Sequence, residues 1–127
     1  MYYDLTQLFL GACKEDEIAV VLAAPIVSKN RQKHEITIHG GGVHLSKEFL
    51  KINDQQIYGK PVLLQEKGWS KSLDNCIVTK LSQEHGTIKV SEKYVNQLNI
   101  GDVIGILPVH SCMTANLMKA TTRYITQ

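Results

Sequence analysis

Short β-branched segments separated by polar turns constrain the fold of this chain more than any other feature. Ile18–Val27 is apolar and rich in β-branched residues, which predicts a long buried strand that bends at Pro25. Ser28–His34 is polar and predicts a turn. Glu35–His39 then alternates polar and apolar residues, as a strand with one solvated face does. Two such segments around a polar turn predict an antiparallel hairpin.

Similar short segments follow along the rest of the chain and give about seven strands in total. Further strands are predicted at Pro61–Leu64, Asn75–Leu81, Thr87–Val90, Val103–Leu107 and Thr121–Ile125, a helical turn at Glu92–Gln97 and a short helix at Thr114–Lys119. Many short strands with few helices favour a mainly β fold. We expect an antiparallel β-barrel-like or distorted sandwich domain with one or two short helices.

Composition limits the function classes. The 127 residues suffice for one domain with a single core, and the net charge of +2 gives no electrostatic case for nucleic acid or membrane partners. No uninterrupted apolar run approaches the ~20 residues that span a bilayer. Three cysteines, Cys13, Cys76 and Cys112, form no familiar disulfide or zinc-knuckle pattern. We therefore expect reduced thiols and a cytoplasmic location.

His110 and Cys112 form the motif with the clearest chemical meaning. They lie two residues apart, directly after an apolar run, and residues i and i+2 of an extended chain point to the same side. Imidazole nitrogen and thiolate sulfur are ligands that zinc prefers. Two protein ligands leave coordination positions for water or substrate, which is the catalytic pattern. The alternative is that Cys112 is a small buried hydrophobic residue without a metal.

Five segments are spread in order along nearly the whole chain: Tyr2–Leu5, Ile38–Lys47, Leu81–Gly86, Gly101–Asp102 and Pro108–Leu117. Together they resemble the C-terminal domain of the D-threonine aldolase and D-serine dehydratase family. These are fold-type III pyridoxal-phosphate enzymes related to alanine racemase. The conjunction of the glycine-rich His-Leu-Ser segment, the Ser-Gln-Glu-His-Gly turn and the Pro-x-His-Ser-Cys segment carries the resemblance.

The resemblance implies that residues 1–127 form a single β-rich C-terminal domain. In such enzymes an N-terminal α/β barrel holds pyridoxal phosphate through a lysine, and the C-terminal domain caps the active site, often across a homodimer interface. No part of this chain resembles that barrel, so we assign no cofactor-binding residue and expect no activity from this chain alone. The abrupt start at Met1 agrees with a piece of a longer protein.

In the resembling enzymes, the histidine of the His-x-Cys motif and the residue two later bind a divalent metal beside the cofactor. Cysteine at the second position is typical of the D-serine dehydratase-like members, and aspartate of the aldolases. His110 and Cys112 are thus the expected ligands of zinc, or of another divalent ion, in the complete enzyme, since a soft thiolate favours zinc. The implied reaction is aldol cleavage or dehydration of a small β-hydroxy-D-amino acid, with the metal polarising the β-hydroxyl.

Two alternatives stay open. The chain could belong to an alanine racemase-like enzyme without metal chemistry, or it could be a stand-alone, non-catalytic β-barrel binding module. No catalytic residue is assigned, although His44 and His85 are candidates to line the active site. The alternative for both histidines is a surface position without a functional role, or a local hydrogen bond. Gly40–Gly42 is not a phosphate loop, because no Gly-Lys-Ser/Thr follows, and we expect it to pack closely against another backbone segment.

Overall fold

A computed structural model of the chain describes residues 5, 18, 20–41, 45, 49–52, 54–66 and 68–109. Within these residues the chain is dominated by strands, with one complete short helix. In chain order they are β1 (Leu22–Asn30), β2 (Glu35–Ile38), β3 (Leu50–Ile52), β4 (Gln55–Ile57), β5 (Gly59–Gln65), β6 (Gly68–Ser72), β7 (Ile77–Leu81), β8 (Gly86–Lys89), α1 (Glu92–Gln97) and β9 (Val103–Pro108).

Six of these strands close into an antiparallel barrel in the order β5, β7, β8, β2, β1, β9 and back to β5. The closing contact pairs Gly59 of β5 with Pro108 of β9 and continues to Val62 and Gly105. β6 pairs with the far part of β5, and β3 and β4 form a separate two-stranded sheet. The prediction of a mainly β, barrel-like domain is confirmed.

The core has two parts, and β9 contributes to both because alternate residues of a strand point to opposite faces. Ile104 and Ile106 of β9 belong to the larger cluster of buried residues. Leu107 and Val109 belong to a smaller cluster, in which Val62 of β5 also packs. Side chains that are fully buried in the larger cluster include Ala24, Ile26, Ile36, Ile38, Val78 and Ile88. The strand carrying these two faces leads directly towards the His-x-Cys motif.

The predicted hairpin is present, but its turn is shorter than the sequence indicated. β1 begins at Leu22 and continues to Asn30, so the expectation that the turn starts at Ser28 is wrong. A bulge between Ile26 and Ser28 lets β1 continue past Pro25, with Asn30 opposite Glu35. Pairing with β2 thus holds polar residues in a strand that their composition alone does not favour.

Other sequence predictions have mixed outcomes. Strands near 61–64, 75–81, 87–90 and 103–107 and the helical turn at 92–97 are confirmed as β5, β7, β8, β9 and α1. β3, β4 and β6 were not predicted. The predicted helix at 114–119 and strand at 121–125 lie outside the described residues. In the part of the chain that the structure describes, no helix is long and apolar enough to cross a membrane.

Candidate functional site

One end of the barrel gathers segments that the sequence analysis singled out separately. Because neighbouring strands are antiparallel, β1, β5 and β8 begin at this end, whereas β2, β7 and β9 finish there. The segment His39–Gly41 follows β2, the turn Ser82–His85 joins β7 to β8, and Val109 follows β9. We call this part of the molecule the histidine end.

Gly41 brings two of these segments into direct backbone contact. A Cβ atom at Gly41 would lie 2.5 Å from the carbonyl oxygen of Ser82, 2.6 Å from the amide nitrogen of His85 and 2.7 Å from the carbonyl oxygen of Gln83. A Cβ atom at Gly86 would likewise lie 2.7 Å from the carbonyl oxygen of Gly40. The expected packing of the glycine segment against another backbone is confirmed for Gly41, whereas a Cβ at Gly40 would meet side-chain carbons and Gly42 lies outside the described residues.

Ser82 closes the turn that carries His85. The amide of Ser82 donates to the carbonyl oxygen of His85 at 2.9 Å, and the amide of His85 donates to Ser82 Oγ at 3.1 Å. The hydroxyl of Ser82 also lies 3.2 Å from the carbonyl oxygen of His85, to which it donates. Three contacts between two residues fix the backbone from which the His85 side chain projects.

His39 and His85 lie side by side. Ile38 pairs with Gly86 in the ladder of β2 and β8, so the next position places His39 opposite His85. Their ring centroids are 5.4 Å apart, and the ring planes are inclined by 50°. Both residues are exposed. The His39 amide donates to the carbonyl oxygen of Pro25 at 3.0 Å, which fixes the first of the two residues to β1.

The other candidate residues lie outside the described residues. These are His44 and the expected metal ligands His110 and Cys112. The strand β9 that precedes the His-x-Cys motif finishes at the histidine end, where Pro108 pairs with Gly59. Among the residues that the structure describes, no group of three or more histidine, cysteine or acidic side chains is placed to hold a metal ion.

A comparison with known protein families identifies the chain. The family model described as "Putative serine dehydratase domain" matches residues 19–123. The chain belongs to this serine dehydratase domain family.

Individual relatives agree with this assignment. The domain is 29% identical to the D-serine dehydratase of Dictyostelium discoideum, over 93% of this chain and 30% of that protein. It is 25% identical to the D-serine dehydratase of Schizosaccharomyces pombe, over 88% of this chain and 26% of that protein. The serine dehydratase domain therefore spans less than a third of the length of these curated relatives.

Solved structures agree with the fold. An alanine racemase-like protein from Idiomarina loihiensis has a TM-score of 0.79 and 27% identity, over 91% of this chain and 31% of that chain. The D-threo-3-hydroxyaspartate dehydratase from Delftia sp. HT23 has a TM-score of 0.77 and 21% identity over the same shares. The likeness to the Delftia enzyme concerns the fold alone.

Cys76 of the serine dehydratase domain is buried in the larger core cluster and lies away from the histidine end. It is 2% exposed, follows the turn that leads into β7, and its thiol donates to the carbonyl oxygen of Asp74 at 3.3 Å. Burial raises the pKa of the Cys76 thiol, and the nearby Asp74 carboxylate acts in the same direction, against hydrogen bonds with Ser91 that lower it. A thiol kept protonated in this way is a poor nucleophile and a poor metal ligand.

The sequence alone therefore indicated part of the histidine end and not the rest. It named His85 as a candidate, and that role stays a prediction. It did not pair His85 with His39. The signal that joins them is the register of β2 against β8, which the amino-acid pattern does not encode, because the two strands are not consecutive in the chain.

Proposed function

We propose that this chain is the C-terminal domain of a pyridoxal-phosphate-dependent D-amino-acid lyase of the D-serine dehydratase type. The match of the family model to residues 19–123 carries the proposal. The substrate would be a small D-amino acid with a β-hydroxyl group, and the rest of the active site would come from an N-terminal cofactor-binding barrel. Aldol cleavage of a β-hydroxy-D-amino acid is the alternative outcome within the same enzyme class.

In this proposal His110 and Cys112 hold a divalent metal, and zinc suits the pair because it binds both imidazole nitrogen and thiolate sulfur. The Delftia dehydratase offers support. Its solved structures include a histidine-to-alanine variant, and a cysteine-to-alanine variant two positions later in a metal-free form. The same spacing separates His110 from Cys112.

The chemistry requires an electron sink at the α-carbon and a Lewis acid at the β-hydroxyl, which pyridoxal phosphate and the metal supply when bound. This chain would supply the two metal ligands and a rigid support. The support consists of the backbone contact between Gly41 and the turn Ser82–His85, on the end of the barrel where β9 finishes. A fixed support of this kind keeps ligands in place without an ordering cost at each turnover.

The test uses the complete polypeptide that carries this chain. Formation of pyruvate and ammonia from D-serine should fall at least about 100-fold in His110→Ala and in Cys112→Ser, because even partners that only support a metal ligand are worth 10–100-fold. Zinc content, measured by mass spectrometry, should fall in parallel. His34→Gln is the matched control, since His34 lies in the β1–β2 turn at the opposite end of the barrel, and its activity should be unchanged.

Two results would contradict the proposal. Full activity and full zinc content in both variants would remove the metal role of His110 and Cys112. A coding sequence without an upstream cofactor-binding barrel would favour the stand-alone binding module instead. A homodimer that completes the active site is a further expectation, which light scattering of the complete protein would test.

A racemase is the second candidate, favoured by the likeness to the alanine racemase-like protein of Idiomarina loihiensis. In that case the complete protein would interconvert the enantiomers of an amino acid and would release no ammonia. Treatment with a chelator separates the two candidates, because a dehydratase that uses its metal as a Lewis acid loses activity and a racemase without metal chemistry keeps it.

A further inference from the structure

We propose that His39 and His85 form a second metal site, a two-histidine site for a divalent transition-metal ion such as Zn²⁺, Ni²⁺ or Cu²⁺. Its ligands are other residues than the expected pair His110 and Cys112, and the inference does not depend on the proposed function. The proposal is based on the juxtaposition of the two imidazole rings at the histidine end, 5.4 Å apart between centroids.

The spacing of the rings fits a shared ion. Metal–nitrogen distances of about 2.0–2.1 Å and a roughly tetrahedral angle put the centroids of two imidazoles on one ion about 5 Å apart. The observed separation of 5.4 Å is close to this value. The rings are also not parallel, since their planes are inclined by 50°, and two ligand rings around one ion need not stack face to face. One nitrogen of each ring would bind the ion.

The backbone beneath the two rings is held in place before any ion arrives. His39 is bound to Pro25 through its amide, and His85 is fixed by its hydrogen bonds with Ser82. The close approach of Gly41 to the turn Ser82–His85 joins the two supports. Ligands whose backbone is already ordered lose less conformational entropy on binding, so two such histidines bind an ion more tightly than two on a flexible segment.

The chemistry of the ligands selects the ion. Imidazole nitrogen suits zinc, nickel and copper, whereas magnesium and calcium prefer oxygen ligands. Both histidines are exposed, so an ion can reach them from solvent. In the described part of the chain no third histidine, cysteine or acidic residue completes the set. Water would therefore fill the remaining positions, and we expect weaker binding than at a four-ligand site.

The test measures Ni²⁺ affinity by calorimetry on the complete polypeptide, in a His110→Ala/Cys112→Ser background that removes the other expected ligands. His39→Gln and His85→Gln should each weaken binding at least about tenfold, a lower bound taken from the loss of residues that only support a ligand. The double variant should be little weaker than either single variant, because both histidines serve one site. His34→Gln, the matched control, should bind like the parent.

Three results would overturn the proposal. These are unchanged affinity in both single variants, losses that add fully in the double variant, and lower stability of His85→Gln without any change in affinity. The last result would mean that the two rings only pack against each other.

Cobalt titration keeps the test valid if the background variant does not fold. In the unmodified protein, binding at Cys112 would give a sulfur-to-cobalt charge-transfer band, whereas a histidine site gives ligand-field bands only. A second cobalt equivalent without the sulfur band, lost in His39→Gln and in His85→Gln, is the expected result. Persistence of that second equivalent in both variants would contradict the proposal.

Discussion

At the scale of single residues, Gly41 determines how closely two backbone segments approach at the histidine end. The atoms that a Cβ would meet belong to the backbone of the turn Ser82–His85, and a backbone cannot rotate away as a flexible side chain can. At Gly40 the nearest atoms are side-chain carbons of Leu22 and Ala24, at 3.2 and 3.3 Å. The space beside the Cα atom is thus filled by backbone atoms at Gly41 and by apolar side chains at Gly40.

We predict that Gly41→Ala destabilises the domain by about 1–3 kcal/mol, the usual range for overpacking, and more than Gly40→Ala does. The reason is the backbone contacts below 3.0 Å at Gly41 and the softer side-chain contacts at Gly40. Urea unfolding, followed by circular dichroism, measures both variants. Equal stabilities for the two variants would contradict the packing described for the turn.

A second prediction concerns Cys76 and pH. Burial raises the pKa of this thiol from its usual value of 9.0, so above that value the unfolded chain loses the proton before the folded chain does. The free energy of unfolding should therefore decline as the pH rises through this range. Other groups also titrate there, so the comparison is with Cys76→Ala, whose decline should be shallower. Parallel pH profiles of the two proteins would rule out a contribution from Cys76.

At the scale of secondary structure, the sequence predicted the elements that have a regular apolar pattern. β2, β5, β7, β8, β9 and α1 fall near their predicted positions. β4 and β6 were not predicted, because Gln55, Gln56 and Lys71 interrupt the alternation of apolar and polar residues that is typical of a strand. Trp69 lies in β6, where it pairs with Leu64 of β5 and packs against the smaller cluster. Registers, closure and the meeting of His39 with His85 depend on partners distant in sequence, which a local pattern does not specify.

The helix α1 shows how a barrel strand supports a neighbouring element. Its end is held by Lys29 of β1, whose ammonium group donates to the carbonyl oxygen of Leu98 at 2.8 Å. Val95, on the buried side of α1, packs into the larger cluster. The positive charge of Lys29 also suits the C-terminal end of a helix, where unpaired carbonyl groups concentrate negative partial charge.

We predict that Lys29→Met lowers the free energy of unfolding by about 1 kcal/mol, the net value of a partly buried hydrogen bond. Lys33→Met is the control, because Lys33 is exposed in the turn between β1 and β2. Chemical denaturation with tryptophan fluorescence of Trp69 gives both values. A similar, negligible effect of the two substitutions would mean that Lys29 adds nothing at the helix end.

At the scale of the whole molecule, the six barrel strands form one closed set of hydrogen bonds, whereas β3 and β4 pair with each other outside it. A strand in the ring has a partner on either side, so it opens only when its neighbours do. A two-stranded sheet is marginal in isolation. The barrel and the β3–β4 sheet should therefore differ in local stability.

Hydrogen exchange should show this difference. Amides in Leu50–Ile52 and Gln55–Ile57 should exchange by local opening, earlier than those of β1, β2 and β8, which should exchange together in the global unfolding reaction. Mass spectrometry of peptides from the labelled protein gives the order. Equal protection of β3–β4 and the ring would show that the two sheets unfold as one cooperative unit.

Closure of the barrel also bears on which parts of such a domain can vary in sequence. The hydrogen bonds of the ring lie within the strands, while the groups exposed at the histidine end lie in connections between strands. Connections of this kind accept substitutions and insertions more readily than the strands they join. The Delftia enzyme keeps this fold at only 21% identity. Substitutions and insertions in these connections can therefore reshape the histidine end while the hydrogen bonds of the ring stay as they are.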